Sequence, residues 1–370
     1  MSRFVISCGG TGGHLSPGIA LAEGLRARGH EVRLLISRKQ IDARLSASYP
    51  HLRFDPMPGR VFSWQPLELA RFAGQFVRAV WCCVRLVRET KPAVVIGFGG
   101  FTSAPPVLAA TLLGVPSALH ESNRVPGRAV RLLGRIARRV YLPPGVRLTG
   151  LSGATVRPVG LPVRREIARC DPAAARVALG LEPDRRTLVL LGGSQGASAL
   201  NAWVRAQREA FAQAGIQVYA VTGPGKGAEE TVVTAGVRAV FMPFSDRMAE
   251  VMSAADLVVS RAGAGTMAEL IRCGTPAVLV PYPQAADDHQ RANAAWFARE
   301  GGGLVVEQAM PGRLTEAVMG TITDDARLGA LRAALQRMDR ANSLELMLAD
   351  LEEIAAGDRH SGGGAWVLAA

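Results

Sequence analysis

The chain has 370 residues, of which 41 are glycine and 22 proline, and it carries a formal net charge of +12 at pH 7. This length is enough for two domains that each bury a full core. The five cysteines are odd in number and include no C-x-x-C pair, which favours reduced core thiols over a disulfide framework. The excess of positive charge indicates an anionic partner, which is a nucleotide, a nucleic acid or a membrane surface.

Neither a signal peptide nor a membrane span is expected. The N-terminal residues lead directly into a predicted strand and a glycine-rich loop. The stretch 92–119 has no charged residue, but its four prolines argue against a lipid-facing helix. We interpret it as a buried strand, a glycine loop, a helix and a second strand.

The N-terminal half opens with a strand, a glycine-rich loop and a helix. The run Phe4–Cys8 predicts the strand, Gly9–His14 (GGTGGH) the loop, and the helix extends from about Pro17 to Arg28. Such a loop lets the backbone approach a diphosphate, although it also occurs for packing alone. Further strands are predicted at Glu31–Ser37, at Val94–Ile96 before the glycine loop Gly97–Phe101, and at Pro116–Leu119 before His120-Glu121-Ser122-Asn123.

The same pattern restarts in the second half, after a predicted hinge at 161–164. The strand Thr187–Leu191 precedes the glycine loop Gly192–Gly196 and a helix over Ala197–Ala214, and later strands are predicted at Gln217–Val221, Ala239–Met242, Leu257–Val259 and Ala277–Val280. The repeat predicts an α/β fold of two Rossmann-like, doubly wound domains that face each other across a cleft. We place the domains at 1–160 and 161–342, and a C-terminal helix at 343–360 whose return to the first domain is left open.

Glu269 has two interpretations. Its spacing from Thr266 is that of a helix-capping box, with Gly274 closing the helix. A carboxylate after a glycine turn can instead accept hydrogen bonds from both hydroxyls of a ribose. The run Asp288-His289-Gln290 on the next predicted loop can contact a sugar, and this favours the second interpretation.

Candidate catalytic groups are few. Three of the six histidines, His14, His120 and His289, fall in predicted loops at one end of the strands. No Asp-x-Asp pair occurs, so the divalent-metal clamp of one large glycosyltransferase class is missing. We expect no metal and no other cofactor, and a phosphate leaving group would be neutralised by helix N-termini and arginines.

Two basic segments suggest a surface for an anionic membrane leaflet. One is Trp64–Arg88, where arginines alternate with large apolar residues, and the other is Arg128–Arg139, where five arginines recur at helical spacing. An ordinary solvated helix is the alternative interpretation. Charge together with apolar bulk favours adsorption, at roughly 1 kcal/mol per arginine.

In combination, the motifs resemble those of the MurG family of glycosyltransferases: GGTGGH, GFGGF (Gly97–Phe101), HESN (His120–Asn123), GGSQGA (Gly192–Ala197), and RAGAGTMAE with HQRAN (Arg261–Glu269, His289–Asn293). The resemblance implies the two-domain GT-B fold and metal-independent inversion. It implies transfer of N-acetylglucosamine from UDP-GlcNAc to lipid I, which gives lipid II for peptidoglycan, cell shape and cell division. It also implies a peripheral protein on the cytoplasmic face of the cell membrane.

The resemblance further assigns roles to individual residues. His14 matches the catalytic base, and His120 and Glu121 are the alternatives. Glu269 would bind the ribose, Gln290 the sugar hydroxyls, and the backbone near Ser245 the uracil. The remaining substrate-binding positions are Thr11, Gly12, Gly13, Asn123, Arg164, Ser194, Ala264, Gly265, Thr266 and Met267.

Three other functions remain as alternatives. A related glycolipid synthase would place a sugar on diacylglycerol, and a UDP-GlcNAc 2-epimerase would turn over the donor alone. A basic nucleic-acid-binding protein is compatible with the charge, but no nucleic-acid-binding module is recognisable, so we expect no nucleic acid partner.

Overall fold

The computed structural model describes residues 1–9, 12–37, 45–57, 66–153, 155–193, 195–339 and 344–357, except the side chains of 66–70 and of Phe101. The chain divides into two compact units, Met1–Arg164 with Ala341–Ala370, and Arg165–Arg340. Each unit is built on a seven-stranded sheet.

The sheet of the first unit is parallel throughout, in the order β3-β2-β1-β4-β5-β6-β7. The strand order reverses between β1 and β4, where a doubly wound sheet opens a ligand site at its carboxyl edge. The strands are β1 (Arg3–Ser7), β2 (Glu31–Ile36), β3 (Arg53–Pro56), β4 (Val94–Gly97), β5 (Ser117–His120), β6 (Arg139–Leu142) and β7 (Val156–Pro158).

Helices cover this sheet by burying one face. In the helix 66–90 the residues Ala79, Cys83 and Val87 recur every four positions and pack against the strand residues Val5 and Val95. The helices are α1 (Gly12–Ala27), α2 (Pro66–Thr90), α3 (Ala104–Leu112) and α4 (Arg128–Leu133).

The second sheet has the order β10-β11-β9-β8-β12-β13-β14, and its strand order reverses between β8 and β12. Only the β10–β11 pairing is antiparallel among the pairings described. The strands are β8 (Thr187–Leu191), β9 (Gln217–Val221), β10 (Glu230–Thr234), β11 (Val237–Met242), β12 (Leu257–Ser260), β13 (Ala277–Leu279) and β14 (Gly303–Val305). The helices are α5 (Pro172–Ala178), α6 (Ser198–Gln213), α7 (Met248–Ala254), α8 (Ala264–Cys273), α9 (His289–Arg299), α10 (Pro311–Ile322) and α11 (Asp325–Asp339).

A last helix, α12 (Leu344–Ala355), packs against α1 and joins the core of the first unit. Its Asp350 is 1% exposed and accepts hydrogen bonds from Arg139 Nε at 3.1 Å and from Tyr141 Oη at 2.7 Å. Arg157 Nε lies 3.5 Å from the same carboxylate. A buried carboxylate needs such partners to be tolerated, so the network fixes α12 on β6 and β7.

The structure corrects several predicted elements. Helix α1 begins at Gly12 rather than Pro17, and Pro17 lies inside it. The predicted helix over 128–139 ends at Leu133, and Arg139 is buried in β6. The interpretation of 92–119 as strand, glycine loop, helix and strand is confirmed. Among the helices of the described ranges, none is long and apolar enough to cross a bilayer.

Candidate active site

In the first unit, the turns after β1 and β4 meet at the reversal of strand order. Of the predicted residues here, Thr11 lies outside the described residues, whereas Gly12 and Gly13 form the start of α1. His14 follows them in the first turn of that helix, not at the end of a loop as predicted. It is half-buried.

The imidazole of His14 rests on the glycine turn after β4. A Cβ at Gly99 would stand 3.5 Å from His14 Nε2, and one at Gly100 would stand 3.3 Å from Cε1. Both glycines have positive φ, at 59° and 67°. Only glycine adopts this backbone without strain while leaving room for the ring. The turn therefore sets the position of the predicted base.

A hydroxyl residue links the two turns. Thr102 Oγ1 donates to the Gly9 carbonyl at 2.7 Å, and Ser7 Oγ donates to the Thr102 carbonyl at 2.9 Å. Ser103 Oγ donates to the Gly99 carbonyl at 2.5 Å. Sequence analysis did not single out these residues. The signal that was available is the pair of hydroxyl residues directly after the GFGGF loop.

His120 was predicted to lie in a loop, but it is the fully buried last residue of β5. Its Nε2 donates to the Gly160 carbonyl at 3.2 Å, and Nδ1 has no partner among the residues described. Burial is the main cause that lowers the pKa of His120 to about 4; the nearby His14 also lowers this pKa, and the hydrogen bond to Gly160 opposes the shift. The imidazole is therefore neutral near pH 7 but enclosed, between the rings of Phe98 and Tyr141.

Glu121, the other alternative base, organises the loop that follows β5. It is 4% exposed, and its Oε1 accepts from Asn123 N at 2.9 Å and from Asn123 Nδ2 at 3.2 Å. Its Oε2 accepts from Gly127 N at 2.8 Å. Both carboxylate oxygens are thus engaged in holding 121–127, which also orients Asn123. Arg164 is half-buried and donates from Nη1 to Tyr49 Oη at 2.8 Å.

In the second unit, α8 begins three residues earlier than a capping box with Thr266 as N-cap requires. Gly263 is the N-cap, and no side chain caps the helix. Ala264, Gly265, Thr266 and Met267 form the first turn, and Glu269 is half-buried in the next one. The capping interpretation of Glu269 is therefore wrong. The predicted helix end is confirmed, because Gly274 adopts the left-handed φ of 63°.

Arg261, in the turn after β12, joins this turn to the loop after β13. It is buried and donates to the carbonyls of Val280 at 3.1 Å and Pro281 at 3.2 Å, and to Gln308 Oε1. Burial lowers the pKa of Arg261. Its position in the RAGAG motif was the signal for this role, which sequence analysis did not assign.

The loop after β13 carries the predicted sugar contacts. Gln290 Oε1 accepts from Tyr282 N at 3.0 Å, which leaves its amide nitrogen as a donor. His289 is the first residue of α9 rather than a loop residue, and its Nδ1 donates to the Ala286 carbonyl at 2.7 Å. Asp287 and Asp288 both have φ of 51°, a conformation that costs energy for a non-glycine residue and that clusters at functional sites.

Two more loops complete the carboxyl edge of the second sheet. Ser194 lies outside the described residues. At Gly196 the backbone packs closely on the next loop, since a Cβ there would stand 2.1 Å from the Thr222 carbonyl. Lys226 Nζ donates to the Gly196 carbonyl at 3.1 Å, which sets a positive charge beside this turn. Ser245 Oγ accepts from Arg247 N at 3.2 Å and hydrogen-bonds Tyr219, so the turn after β11 is held in place.

The structure thus places the predicted residues that it describes, which exclude Thr11 and Ser194, after strands at the carboxyl edge of each sheet. The first group offers an imidazole on a glycine turn, and the second offers a helix N-terminus, a half-buried carboxylate and an amide donor. The second set suits a nucleoside diphosphate sugar. In the described part of the chain, no group of three His, Cys, Asp or Glu side chains is placed to hold a metal ion.

The sequence is similar to those of known proteins over nearly its whole length. It is 60% identical over 359 residues to the UDP-N-acetylglucosamine–N-acetylmuramyl-(pentapeptide) pyrophosphoryl-undecaprenol N-acetylglucosamine transferase of Opitutus terrae, covering 96% of this chain and 95% of that enzyme. It is 39% identical over 373 residues to the enzyme of the same name from Clavibacter sepedonicus, covering 98% of each.

The fold has counterparts among crystal structures, including that of Acinetobacter baumannii MurG, with a TM-score of 0.71, 24% identity and coverage of 95% of this chain and 100% of that one. The fold and the two site groups define a glycosyltransferase with two Rossmann-like domains, the GT-B class. Residues 4–142 match the N-terminal domain of glycosyltransferase family 28, and 187–345 match its C-terminal domain. The chain belongs to this family and, within it, to the UDP-N-acetylglucosamine–N-acetylmuramyl-(pentapeptide) pyrophosphoryl-undecaprenol N-acetylglucosamine transferases.

Proposed function

We propose that the protein transfers N-acetylglucosamine from UDP-GlcNAc to the 4-hydroxyl of the N-acetylmuramyl residue of lipid I, with inversion, and so forms lipid II. The observation that carries this proposal is the 60% identity to a transferase of that name, which extends over 96% of the chain and includes both site groups. The rival glycolipid synthase and 2-epimerase activities have no comparable support.

The donor is assigned to the second domain. The diphosphate of UDP would lie at the reversal between β8 and β12, where the backbone N–H groups at the start of α8 point toward it. Lys226 adds a positive charge at the turn after β8. Glu269 would accept hydrogen bonds from the ribose hydroxyls, and the free amide nitrogen of Gln290 would donate to the sugar. These groups stabilise the negative charge that develops on UDP as it leaves.

The base is assigned to the first domain. In the reaction the acceptor 4-hydroxyl loses its proton while its oxygen attacks the anomeric carbon, and the bond from that carbon to the UDP oxygen breaks on the opposite face. We assign His14 as the base that accepts this proton, because its ring stands at the carboxyl edge of the sheet on a turn of two glycines. His120 is enclosed, and the carboxylate of Glu121 is committed to three N–H groups, so both serve better as positioning residues.

Attachment to the membrane is assigned to one side of the first domain. On α2 the side chains of Val77 and Trp81 are 61% and 66% exposed beside three exposed arginines, Arg78, Arg85 and Arg88. Leu132 and Ile136, 67% and 44% exposed, lie among Arg128, Arg131, Arg135 and Arg138. Helix α3 contacts both α2 and α4, so the two sets belong to one layer of helices.

We call these two sets the basic-apolar surface. It differs from the predicted one in two respects: Arg139 is bound to Asp350 in the interior, and Phe76 packs partly into the core. Trp64 lies outside the described residues. Exposed apolar side chains ringed by arginines suit the interface of an anionic leaflet, which supports our assignment of peripheral binding at the cytoplasmic face of the membrane that would hold an undecaprenyl-linked acceptor.

The proposed activity is tested by product analysis after incubation of the full chain with UDP-GlcNAc and a short-chain lipid I analogue. The expected product is the disaccharide-linked lipid, and His14→Ala should lower kcat at least about a hundredfold while UDP affinity stays near normal. Parallel reactions contain diacylglycerol or no acceptor. Product formation only with diacylglycerol, or epimerised UDP-sugar without acceptor, would replace the proposal with one of its rivals.

A further inference from the structure

The second domain has a polar cavity of about 200 Å³ that is separate from the donor group. It opens at the residues that precede β12 and β13, which is the amino edge of the sheet. The donor group lies beyond the other end of β12, a strand of four residues and therefore roughly 13 Å away. Three arginines and a single acid line the cavity: Arg169, Arg176, Arg332 and Asp256.

The acid balances only part of this charge. Asp256 Oδ2 accepts from Arg176 Nη2 at 3.0 Å and from Thr187 N at 2.9 Å, and Oδ1 accepts from Arg332 Nη2 at 3.3 Å. One carboxylate thus pairs with two of the three guanidinium groups that line the cavity, which leaves an excess of two positive charges in its lining. Arg176 and Arg332 are partly buried and Arg169 is exposed, so this excess attracts an anion to the cavity.

The three arginines differ in how many of their guanidinium N–H groups are already hydrogen-bonded within the protein. Arg176 is held in place, since it also donates to the Ala254 carbonyl at 2.9 Å and to the Pro183 carbonyl at 2.7 Å. Arg332 gives only one N–H group to Asp256. Arg169 makes no ion pair with any residue of the described ranges, and its Nη1 would stand 3.7 Å from a Cβ at Gly274. Arg169 and Arg332 therefore present unused donors around an Arg176 that is already fixed.

The hydroxyl groups of the lining add at most one neutral donor. Thr275 Oγ1 gives its proton to the Met252 carbonyl at 2.9 Å, whereas Ser253 Oγ accepts from Cys170 N at 3.0 Å and keeps its own proton. The charged donors of the cavity are the guanidinium groups. Their paired N–H donors match the oxygen edges of phosphate, and the volume accommodates a phosphate group with a small substituent.

We infer that this cavity is a second anion site, which binds a small phosphate or phosphomonoester independently of the UDP site. Helix α8 connects the two, because its first turn belongs to the donor group and its last residue, Cys273, lines the cavity. The phosphate could also belong to a lipid headgroup. The experiment below separates that source from a soluble anion.

The probe is inorganic phosphate, titrated into the full chain by calorimetry at constant ionic strength, with chloride as the replaced anion and with UDP at saturation. Saturating UDP fills the proposed donor site, and the variants of the cavity arginines separate the heat of the cavity from that of any other phosphate site. We expect saturable binding that Arg169→Gln and Arg332→Gln each weaken roughly ten- to hundredfold, because each loses a charged hydrogen-bond donor. Arg313→Gln, which removes an exposed arginine of α10, is the matched control and should leave binding unchanged.

Three outcomes would overturn the inference: no saturable phosphate binding in the presence of UDP, equal binding by the Arg169 and Arg332 variants, or equal loss in the Arg313 control. Circular dichroism verifies that the variants are folded. A parallel titration with vesicles containing phosphatidylglycerol tests the headgroup source. If Arg169→Gln abolishes vesicle binding while free phosphate has no effect, the site is a lipid contact and the assignment to a soluble anion is wrong.

Discussion

Gly100 supports the imidazole of His14, and a Cβ added to that glycine would stand 3.3 Å from His14 Cε1. In Gly100→Ala the ring must give by a few tenths of an ångström, and misplacement of a reacting group lowers the rate. We expect kcat to fall several-fold and UDP affinity to stay near normal, measured by steady-state kinetics and calorimetry.

Gly114→Ala is the matched control. Gly114 has φ of 68°, against 67° for Gly100, but a Cβ there would meet no atom within 4 Å. Both variants should lose about 1–2 kcal/mol of unfolding free energy from the left-handed backbone, whereas only Gly100→Ala should lose kcat. Equal kcat in the two variants would show that the turn does not position His14.

Glu121 gives a second prediction, which separates a base from a positioning residue. The two carboxylate oxygens of Glu121 accept hydrogen bonds from the N–H groups of Asn123 and Gly127. In Glu121→Gln one of these oxygens becomes an NH₂ group, which cannot accept, so one N–H donor is left unsatisfied. We expect a loss of about 1–3 kcal/mol in unfolding free energy, measured by urea titration. The control Glu31→Gln breaks an exposed pair with Arg3 and should cost less than about 1 kcal/mol. If Glu121→Gln instead keeps full stability and loses kcat, Glu121 is the base.

How much the sequence predicts depends on the burial of each element. Strands β8 and β9 have the predicted bounds, because a central parallel strand is a continuous apolar run. Five strands were missed: β3, β6, β7, β10 and β14. Of these, β6 begins at the end of the segment that was predicted as a helix, whereas the other four lie at sheet edges, and the three-residue strands β7 and β14 contain Arg157, Pro158 and Gly303. Their pairing comes from neighbours distant in the chain, which no local pattern encodes.

In the site, too, local motifs predicted some features, and contacts between distant segments determined the others. The glycine motifs place His14 and Glu269 near the ends of strands, which the structure bears out, but the local spacing misled about both helix starts. The His14 contact with Gly99 and Gly100 arises only from the adjacency of β1 and β4. The enclosure of His120 likewise depends on Gly160, Phe98 and Tyr141, which come from separate segments. Tertiary packing decided these features.

His120 makes the stability of the protein depend on pH. Its folded pKa of about 4 lies below the ordinary value of 6.5, so between these values the unfolded chain binds more protons than the folded one. The unfolding free energy should therefore fall as the pH drops from 6.5 toward 4, by roughly 3 kcal/mol from this group. Urea titrations of wild type and His120→Gln across this range measure the difference. Parallel pH dependences of the two proteins would contradict the assignment.

The basic-apolar surface should bind vesicles through both of its components. Arg135→Gln with Arg138→Gln removes two charges and should weaken binding to anionic vesicles roughly thirtyfold, at about 1 kcal/mol for each arginine. Trp81→Ser should weaken binding in high salt as well, since its contribution is apolar. Co-sedimentation is the measurement. The charge-matched control, Arg313→Gln with Arg337→Gln on exposed positions of the second domain, should bind like wild type. Equal losses in both double variants would assign the effect to net charge alone.

Glu269 provides the test of the donor site. Because Gly263 is the N-cap of α8 and no side chain caps the helix, Glu269 has no capping role to lose. Glu269→Gln keeps the size of the side chain but removes the charge that would accept hydrogen bonds from the ribose hydroxyls. A hydrogen bond to a charged group is worth about 1.5–3 kcal/mol, so UDP affinity should fall roughly ten- to hundredfold in calorimetry. Glu316→Gln, at an exposed position of α10 in the same domain, is the control and should bind UDP like wild type. Unchanged UDP affinity in folded Glu269→Gln protein would remove Glu269 from the donor site and leave α8 to bind the nucleotide through its N-terminus alone.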